Sequence, residues 1–382
     1  MSEYQYYDFL TIDRPLNPSE MAALRSLSTR AEITSTRFQN EYNWGDLKGS
    51  PGTLVEKYFD AHVYFADWGT YRLMLRLPKE SIGEETLSSY AIDDIFSFWY
   101  TDDHLILEWV RNDEEPDGDW AEPEGWMAQL IPIRAELERG DFRALYLGWL
   151  HGVNAGIVAE DEDEPPIPPG LNSLSAAQSS LIEFLGIEPD FLCAAALASP
   201  PPPDKLQSEH KMFEWVAGIP QERAGDYLLL LLQGKSRHAE RLIRQDFSAY
   251  LHNHAPDEQG VSKWRKRSVA ELLEEVERAR AKRVEREARE RMRQTEELRR
   301  KRMTYLTELA RDFDRHWKRA HLLAERGIAS THKEACRLLV DLSEAYLLKK
   351  RQGEFSLEIA RFREAHARRK ALLKRLDEAG IK

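Results

Sequence analysis

DIFSFWYTDDHLILEWVR, residues 94–111, decides the fold class of this 382-residue chain. Two aromatic-rich apolar runs flank Asp102-Asp103, and runs of that kind around a short polar turn read as an antiparallel hairpin. Towards the N-terminus, AHVYFADW and TYRLMLRLP read as two more strands around Gly69. YQYYDFLTI alternates aromatic and polar positions, and EITSTRFQNEY is β-branched and alternating, so both read as strands. Helix-start chemistry falls between them. In NPSEMAALRSLS, Asn17 is placed to cap, Pro18 suits the first turn and Glu20 stands three residues on. SPGTLVEKYF reads as a short helix, and MAQLIPIRAELERGDFRALYLGWLHGV as one or two more. Residues 1–150 are thus expected to be an α+β domain, a small sheet with helices on one face. Its strand order is not legible, although a ferredoxin-like arrangement fits.

Two acidic segments follow. NDEEPDGDWAEPEG (112–125) reads as an exposed loop, and EDEDEPPIPPG within 151–172 as an acidic, proline-rich linker, because like charges repel and proline favours extended chain. Residues 173–255 read as a helical middle domain of five helices. From 263 to 326 there is neither Pro nor Gly, which predicts one continuous helix. Its first part, 263–303, is highly charged, and its last part joins 332–351 and 354–378 in a three-helix bundle over 304–382. The expected bundle core is Leu306, Leu309, Phe313, Trp317, Leu338, Leu339, Leu342, Tyr346, Phe355, Ile359, Phe362 and Leu372.

The net charge of −12 hides a division: residues 261–382 hold 34 Lys and Arg against 21 Asp and Glu, leaving a strongly acidic remainder. In the helix segment VERARAKRVEREARERMRQTEELRRKRM (276–303), 12 basic residues meet 6 glutamates. The pairs Glu285–Arg289, Glu287–Arg291, Glu296–Arg300 and Glu297–Lys301 stand at i,i+4, each worth about 0.2–0.5 kcal/mol on an isolated helix. That pairing reads as a self-supporting spacer. A phosphate contact would instead use the short basic clusters: Lys263, Arg265, Lys266 and Arg267; Arg299, Arg300, Lys301 and Arg302; and Arg368, Arg369 and Lys370. The N-terminus lacks the basic and apolar regions of a signal peptide, and the longest apolar run, YLLLLL (227–232), is too short to span a bilayer. With two distant cysteines, Cys193 and Cys336, the expectation is a cytoplasmic protein with no membrane contact.

Catalytic signatures are missing from the sequence. There is no phosphate-binding glycine loop, no GxSxG elbow, no HExxH and no CxxC, so no cofactor, metal or catalytic residue is assigned. Asp93, Asp94, Asp102, Asp103 and Glu108 surround the hairpin, but Trp109 and Val110 follow Glu108 where a metal nuclease would need a lysine two positions on. The strongest binding candidates are aromatic and polar residues near strand ends and turns: Tyr42, Trp44, Asp46, Tyr58, Asp60, Trp68 and Thr70. Tyr and Trp at such places usually edge a core; otherwise they mark a partner-binding surface, where they supply anchor contacts.

The stretches YQYYDFLTIDRPL, NEYNWGDLKGSP, YFDAHVYFADWGTYRLMLRLP, THKEACRLLVDLSEAYL and FSLEIARFREAHARRKALLKRLDEAGI together resemble a family of uncharacterised bacterial cytoplasmic proteins. The resemblance spans most of the chain and thins through the acidic segment and the charged helix. Many members read KDYDRAV where this chain has THKEACRLL, so the helix is kept while its local sequence differs. Some members are encoded beside proteins with a SWIM-type zinc finger, which implies a tie to DNA-linked or defence systems. The resemblance supplies no catalytic residue. The function expected is a non-enzymatic adaptor or regulatory protein working through protein–protein contacts, its long helix positioning a basic C-terminal bundle. The alternative is a nucleic-acid-associated component that meets phosphate through that basic third.

Overall fold

The computed structural model describes residues 4–113, 125–202, 205–253 and 267–381. The chain divides into two units, Met1–Lys282 and Arg283–Lys382. Most of the 112–125 loop lies outside the described residues.

The first unit opens with β1 (Gln5–Leu10), α1 (Pro18–Leu27), β2 (Glu32–Ile33), β3 (Arg37–Tyr42), α2 (Pro51–Lys57), β4 (Ala61–Ala66) and β5 (Thr70–Pro78). It continues through α3 (Glu84–Tyr90), β6 (Phe96–Tyr100) and β7 (His104–Asn112). The hairpin sits at one end of a seven-stranded sheet ordered β2-β3-β1-β4-β5-β7-β6, with every pairing antiparallel. Tyr100 faces Leu105, and the Thr101 N–H donates to the His104 carbonyl at 2.8 Å to close the turn. At α1 the capping box is complete: Asn17 accepts from the Glu20 N–H, and Glu20 accepts from the Asn17 N–H.

Helices cover both faces of the sheet, where one was expected. Tyr7, Phe9, Phe38, Met74 and Ile106 point to one side and meet Leu24 of α1 and Leu54 and Val55 of α2. Val63, Leu73, Leu75, Leu105, Leu107 and Trp109 point to the other. That second face is closed by α4 (Trp126–Leu130), α5 (Pro132–Glu138), α6 (Arg143–Asn154), α7 (Ala176–Leu185) and α8 (Pro189–Ala198). The cause is visible in the strands, which carry large apolar side chains on both alternations, so each face needs cover. The approach of α6 is close: a Cβ at Gly148 would lie 2.7 Å from Trp109 Nε1. Trp109 Nε1–H donates to the Ala144 carbonyl at 3.2 Å.

Because α7 and α8 enter this same core, residues 151–172 do not separate two cores. Nor is the acidic stretch an extended spacer. Residues 160–164 run against the start of α12 (Val269–Leu309). The carbonyls of Glu162 and Glu160 accept from the N–H groups of Val269 and Ala270, both at 2.9 Å, and Glu164 N–H donates to the Arg267 carbonyl at 2.8 Å. The Glu164 carboxylate, buried, takes Arg267 Nε and Nη2 at 2.6 and 2.7 Å and the Tyr146 hydroxyl at 2.5 Å. The repulsion expected among these carboxylates is offset by the positive end of α12, whose first N–H groups lack partners within the helix and take these backbone carbonyls instead. Val269, Leu272 and Val276 then seat the first two turns of α12 in the core.

Between α8 and α12 lie α9 (Lys205–Gly218), α10 (Gln221–Leu232) and α11 (Ser236–Asn253), with α11 packed on both of the others. Trp215 is buried against Phe247, and Asp246 accepts from Arg223 Nε at 2.7 Å and from the Tyr227 hydroxyl.

In the second unit, the end of α12 is followed by α13 (Phe313–Glu325), α14 (Ala329–Leu348), α15 (Gln352–Ala365) and α16 (Lys370–Glu378). The twelve core residues named above all fall in one buried cluster. Two of the three expected helices are nevertheless divided. The run from 263 to 326 breaks after Leu309, where Asp312 caps α13 by accepting the Arg315 N–H at 3.0 Å. A side-chain acceptor starts a new helix there without Pro or Gly. The third helix stops at His366, and α16 packs on α14 with Leu372 and Leu376 buried.

Candidate functional sites

The strand register sorts the seven candidate partner-binding residues. Tyr42, Gln5, Ala66, Thr70 and Asn112 share one row across β3, β1, β4, β5 and β7. Trp44 and Asp46 follow β3, and Trp68 sits in the β4–β5 turn, so five candidates gather at this end of the sheet. Tyr58 and Asp60 precede β4 at the other end, roughly 20 Å away along a six-residue strand.

At the first end the polar groups hold one another. Asp46 accepts the Tyr7 hydroxyl at 2.6 Å and the Leu47 N–H at 2.7 Å. Gln5 accepts the Tyr64 hydroxyl at 2.9 Å and donates to the Gly45 carbonyl at 2.9 Å. Burial, and then Asp46, push the ionisation of Tyr7 well up, so it stays a neutral donor. Thr70 donates to Asn112 at 3.0 Å. Trp44 and Trp68 are the large aromatic side chains left exposed here.

Asp60 has a different role from the one expected. It is buried and accepts from the N–H groups of Ile12 and Asp13 at 2.6 and 2.9 Å, and from Arg76 Nη2 at 2.8 Å. Burial alone would raise its pKa, but these donors outweigh burial and lower it. Arg134 extends the network, donating to the Arg76 carbonyl at 2.7 Å and to Asp13 at 2.7 Å. Asp60 thus ties the β1–α1 loop to β5 and offers no oxygen outward. A cavity of about 590 Å³ lies beyond it, lined by Ile12, Asp13, Pro78, Arg134 and Arg139 with His238 of α11.

Of the basic candidates, Lys263, Arg265 and Lys266 lie outside the described residues. Arg267 is committed to Glu164. Arg302 pairs with Asp341 and Glu344 at 2.6 and 2.9 Å, Lys301 with Glu297 at 2.7 Å, and Arg369 donates to the Glu325 carbonyl at 2.8 Å. Arg299, Arg300, Arg368 and Lys370 remain exposed. Along α12, Glu285–Arg289 and Glu287–Arg291 form at 2.6 and 3.4 Å; a Glu296–Arg300 pair is not formed among the described residues.

On the hairpin, Glu108 pairs with Arg72 at 3.1 Å and accepts from Ser97 at 3.3 Å. Among the described residues no group of three or more His, Cys, Asp or Glu is arranged to hold a metal ion, and no helix is long and apolar enough to cross a membrane.

Two features escaped the sequence reading. Four of the five consecutive leucines of α10 are exposed, which the apolar run YLLLLL does not by itself reveal. In the second unit, His321 and His366, 45 residues apart, meet through their rings at 2.9 Å. Beside them, Phe313 stacks on Tyr346 with centroids 3.8 Å apart, and Arg351 lies over both rings. No spacing rule links residues so far apart. The leucine run was legible, but its exposure depends on which helices α10 meets. No protein-family model, no curated protein and no solved structure matches this chain.

Proposed function

We propose that the chain is a non-enzymatic adaptor that acts through protein–protein contacts, with the apolar face of α10 as a principal contact. One observation carries the reading: Leu228, Leu229 and Leu232 are 61%, 55% and 86% exposed on a helix whose Tyr227 is buried. Surface helices turn their apolar residues inward, and soluble chains that leave large apolar patches in water use them for association. Phe213 and Val216 of α9 are exposed as well, and Trp44 and Trp68 add anchors of the aromatic type at the sheet end. The basic C-terminal third then serves a regulatory role.

The test uses the full chain as bait in a lysate of its source organism, wild type beside Leu228→Glu/Leu232→Glu, with nuclease-treated and high-salt arms. The adaptor reading expects one discrete polypeptide retained by wild type after nuclease treatment and lost from the variant, with helical content unchanged. Retained nucleic acid that falls away steeply with salt and ignores the leucine substitutions would replace this reading with the phosphate-contact one.

A further inference from the structure

His321 lies on α13 and His366 closes the C-terminal end of α15. Nδ1 of the first and Nε2 of the second are 2.9 Å apart, and Phe362 packs against both rings at 4.8 and 4.6 Å between centroids. His366 is only 7% exposed. A cavity of about 440 Å³ borders the pair, with Glu325 from α13, Glu364 from α15, and Arg368 and Arg369 from the connection to α16. His332 of α14 completes the charged surroundings of His366.

An imidazole–imidazole hydrogen bond needs one ring to donate and the other to accept, so at least one must be neutral. A second proton would leave two N–H donors facing each other in a seam lined by Phe362. We infer that the His321–His366 pair is a proton-operated latch, closed when it shares one hydrogen bond and released when both rings are charged, so that mild acid opens the α13–α15 seam. The surroundings favour release over a tightly held charge. Burial first, then His321, Arg369 and His332 together, outweigh Glu325 and hold the pKa of His366 below the usual histidine value. An opened seam frees His366 to titrate near the ordinary histidine value, about 6.5. The open form therefore binds more protons, and opening grows as pH falls below that value. Opening takes up one proton more than the closed pair holds, so the opening constant rises by at most about tenfold per pH unit.

Hydrogen exchange on the full chain between pH 7.5 and 5.5, corrected for intrinsic exchange, reads this directly at the amides of 359–365. The expected result is roughly a fivefold rise in opening from pH 6.5 to 5.5 in wild type and a flat profile in His321→Gln/His366→Gln. His316 is present in both proteins and cancels in the comparison. A flat wild-type profile, or the same rise in the variant, overturns the latch. Should the variant not fold, the ring carbon resonances of labelled wild-type histidines decide. A coupled two-step titration of the pair supports the latch, and two independent titrations at the ordinary value overturn it. If a chelator changes the wild-type profile, or added Zn²⁺ abolishes it, the two nitrogens hold a metal instead and the latch is overturned.

Discussion

Replacing Glu164 with alanine tests whether the acidic stretch is a spacer or a structural clamp. In the native chain one carboxylate satisfies Arg267 through two nitrogens and also takes the Tyr146 hydroxyl. Removal leaves Arg267, whose side chain is 16% exposed, with the Ala194 carbonyl at 3.3 Å as an acceptor, and leaves the buried Tyr146 hydroxyl without its carboxylate partner. Breaking a buried pair costs about 3–5 kcal/mol because an uncompensated charge is left behind. The partial access of Arg267 to water puts the value at the low end, about 3 kcal/mol. For a unit of this size, roughly 2–4 °C is lost per kcal/mol, so the first unit should melt about 6–12 °C lower. Glu164→Gln keeps an acceptor and should lose about half as much. Glu164→Met/Arg267→Met removes both charges and should recover most of the loss. The assay is calorimetry on the full chain, following the transition of the first unit. A shift under about 1 °C for the alanine variant would refute the clamp and restore the spacer reading.

Glycine substitutions should have opposite signs at two helical positions. Gly148→Ala gains about 1 kcal/mol of helix propensity, but its methyl group meets Trp109 Nε1 and Cδ1 at 2.7 and 2.8 Å, so a net loss of about 1–2 kcal/mol with altered tryptophan emission is expected in denaturant titration. Gly225→Ala in α10, with nothing within 4 Å of its new methyl, should instead stabilise by up to about 1 kcal/mol. Acid should weaken the first unit through two buried histidines, since burial lowers His62 to about 3 and His151 to about 4. The unfolded chain takes up these protons first, so stability is flat above pH 6.5 and falls by up to about 1.4 kcal/mol per pH unit per histidine below it. His151→Leu should roughly halve the slope between pH 6 and 4.5, and an unchanged slope would show that His151 does not bear it.

The legible parts of this fold rest on neighbours in sequence. The hairpin announces itself through apolar runs around Asp102-Asp103, and α1 through Asn17 and Glu20. Helix lengths after Val269 follow from composition, except where Asp312 supplies a cap that no Pro or Gly marks and where α15 ends at His366. What escaped depends on distant partners. Strand order needs register, and the cover of the second face comes from α4 to α8. Asp60 reads as a turn-side carboxylate until Arg76 and the Ile12 and Asp13 amides close around it. The acidic run looks self-repelling because the helix end that accepts it stands about a hundred residues on. Trp44 and Trp68 are exposed at one end of the sheet, while Tyr58 and Asp60 lie at the opposite end, which only the strand register shows.

The root of α12 also has a kinetic consequence. Glu164 and Arg267 are 103 residues apart, and the turns from Val269 to Val276 are seated by strands and helices that precede them all. A contact of such long sequence separation must wait for loop closure, which slows folding. During synthesis the acidic stretch emerges well before its helix does, while α7 and α8 are still joining the sheet. A late-arriving α12 therefore completes the first unit, and truncation anywhere before Val276 should leave a body with an uncovered apolar groove that is prone to aggregate.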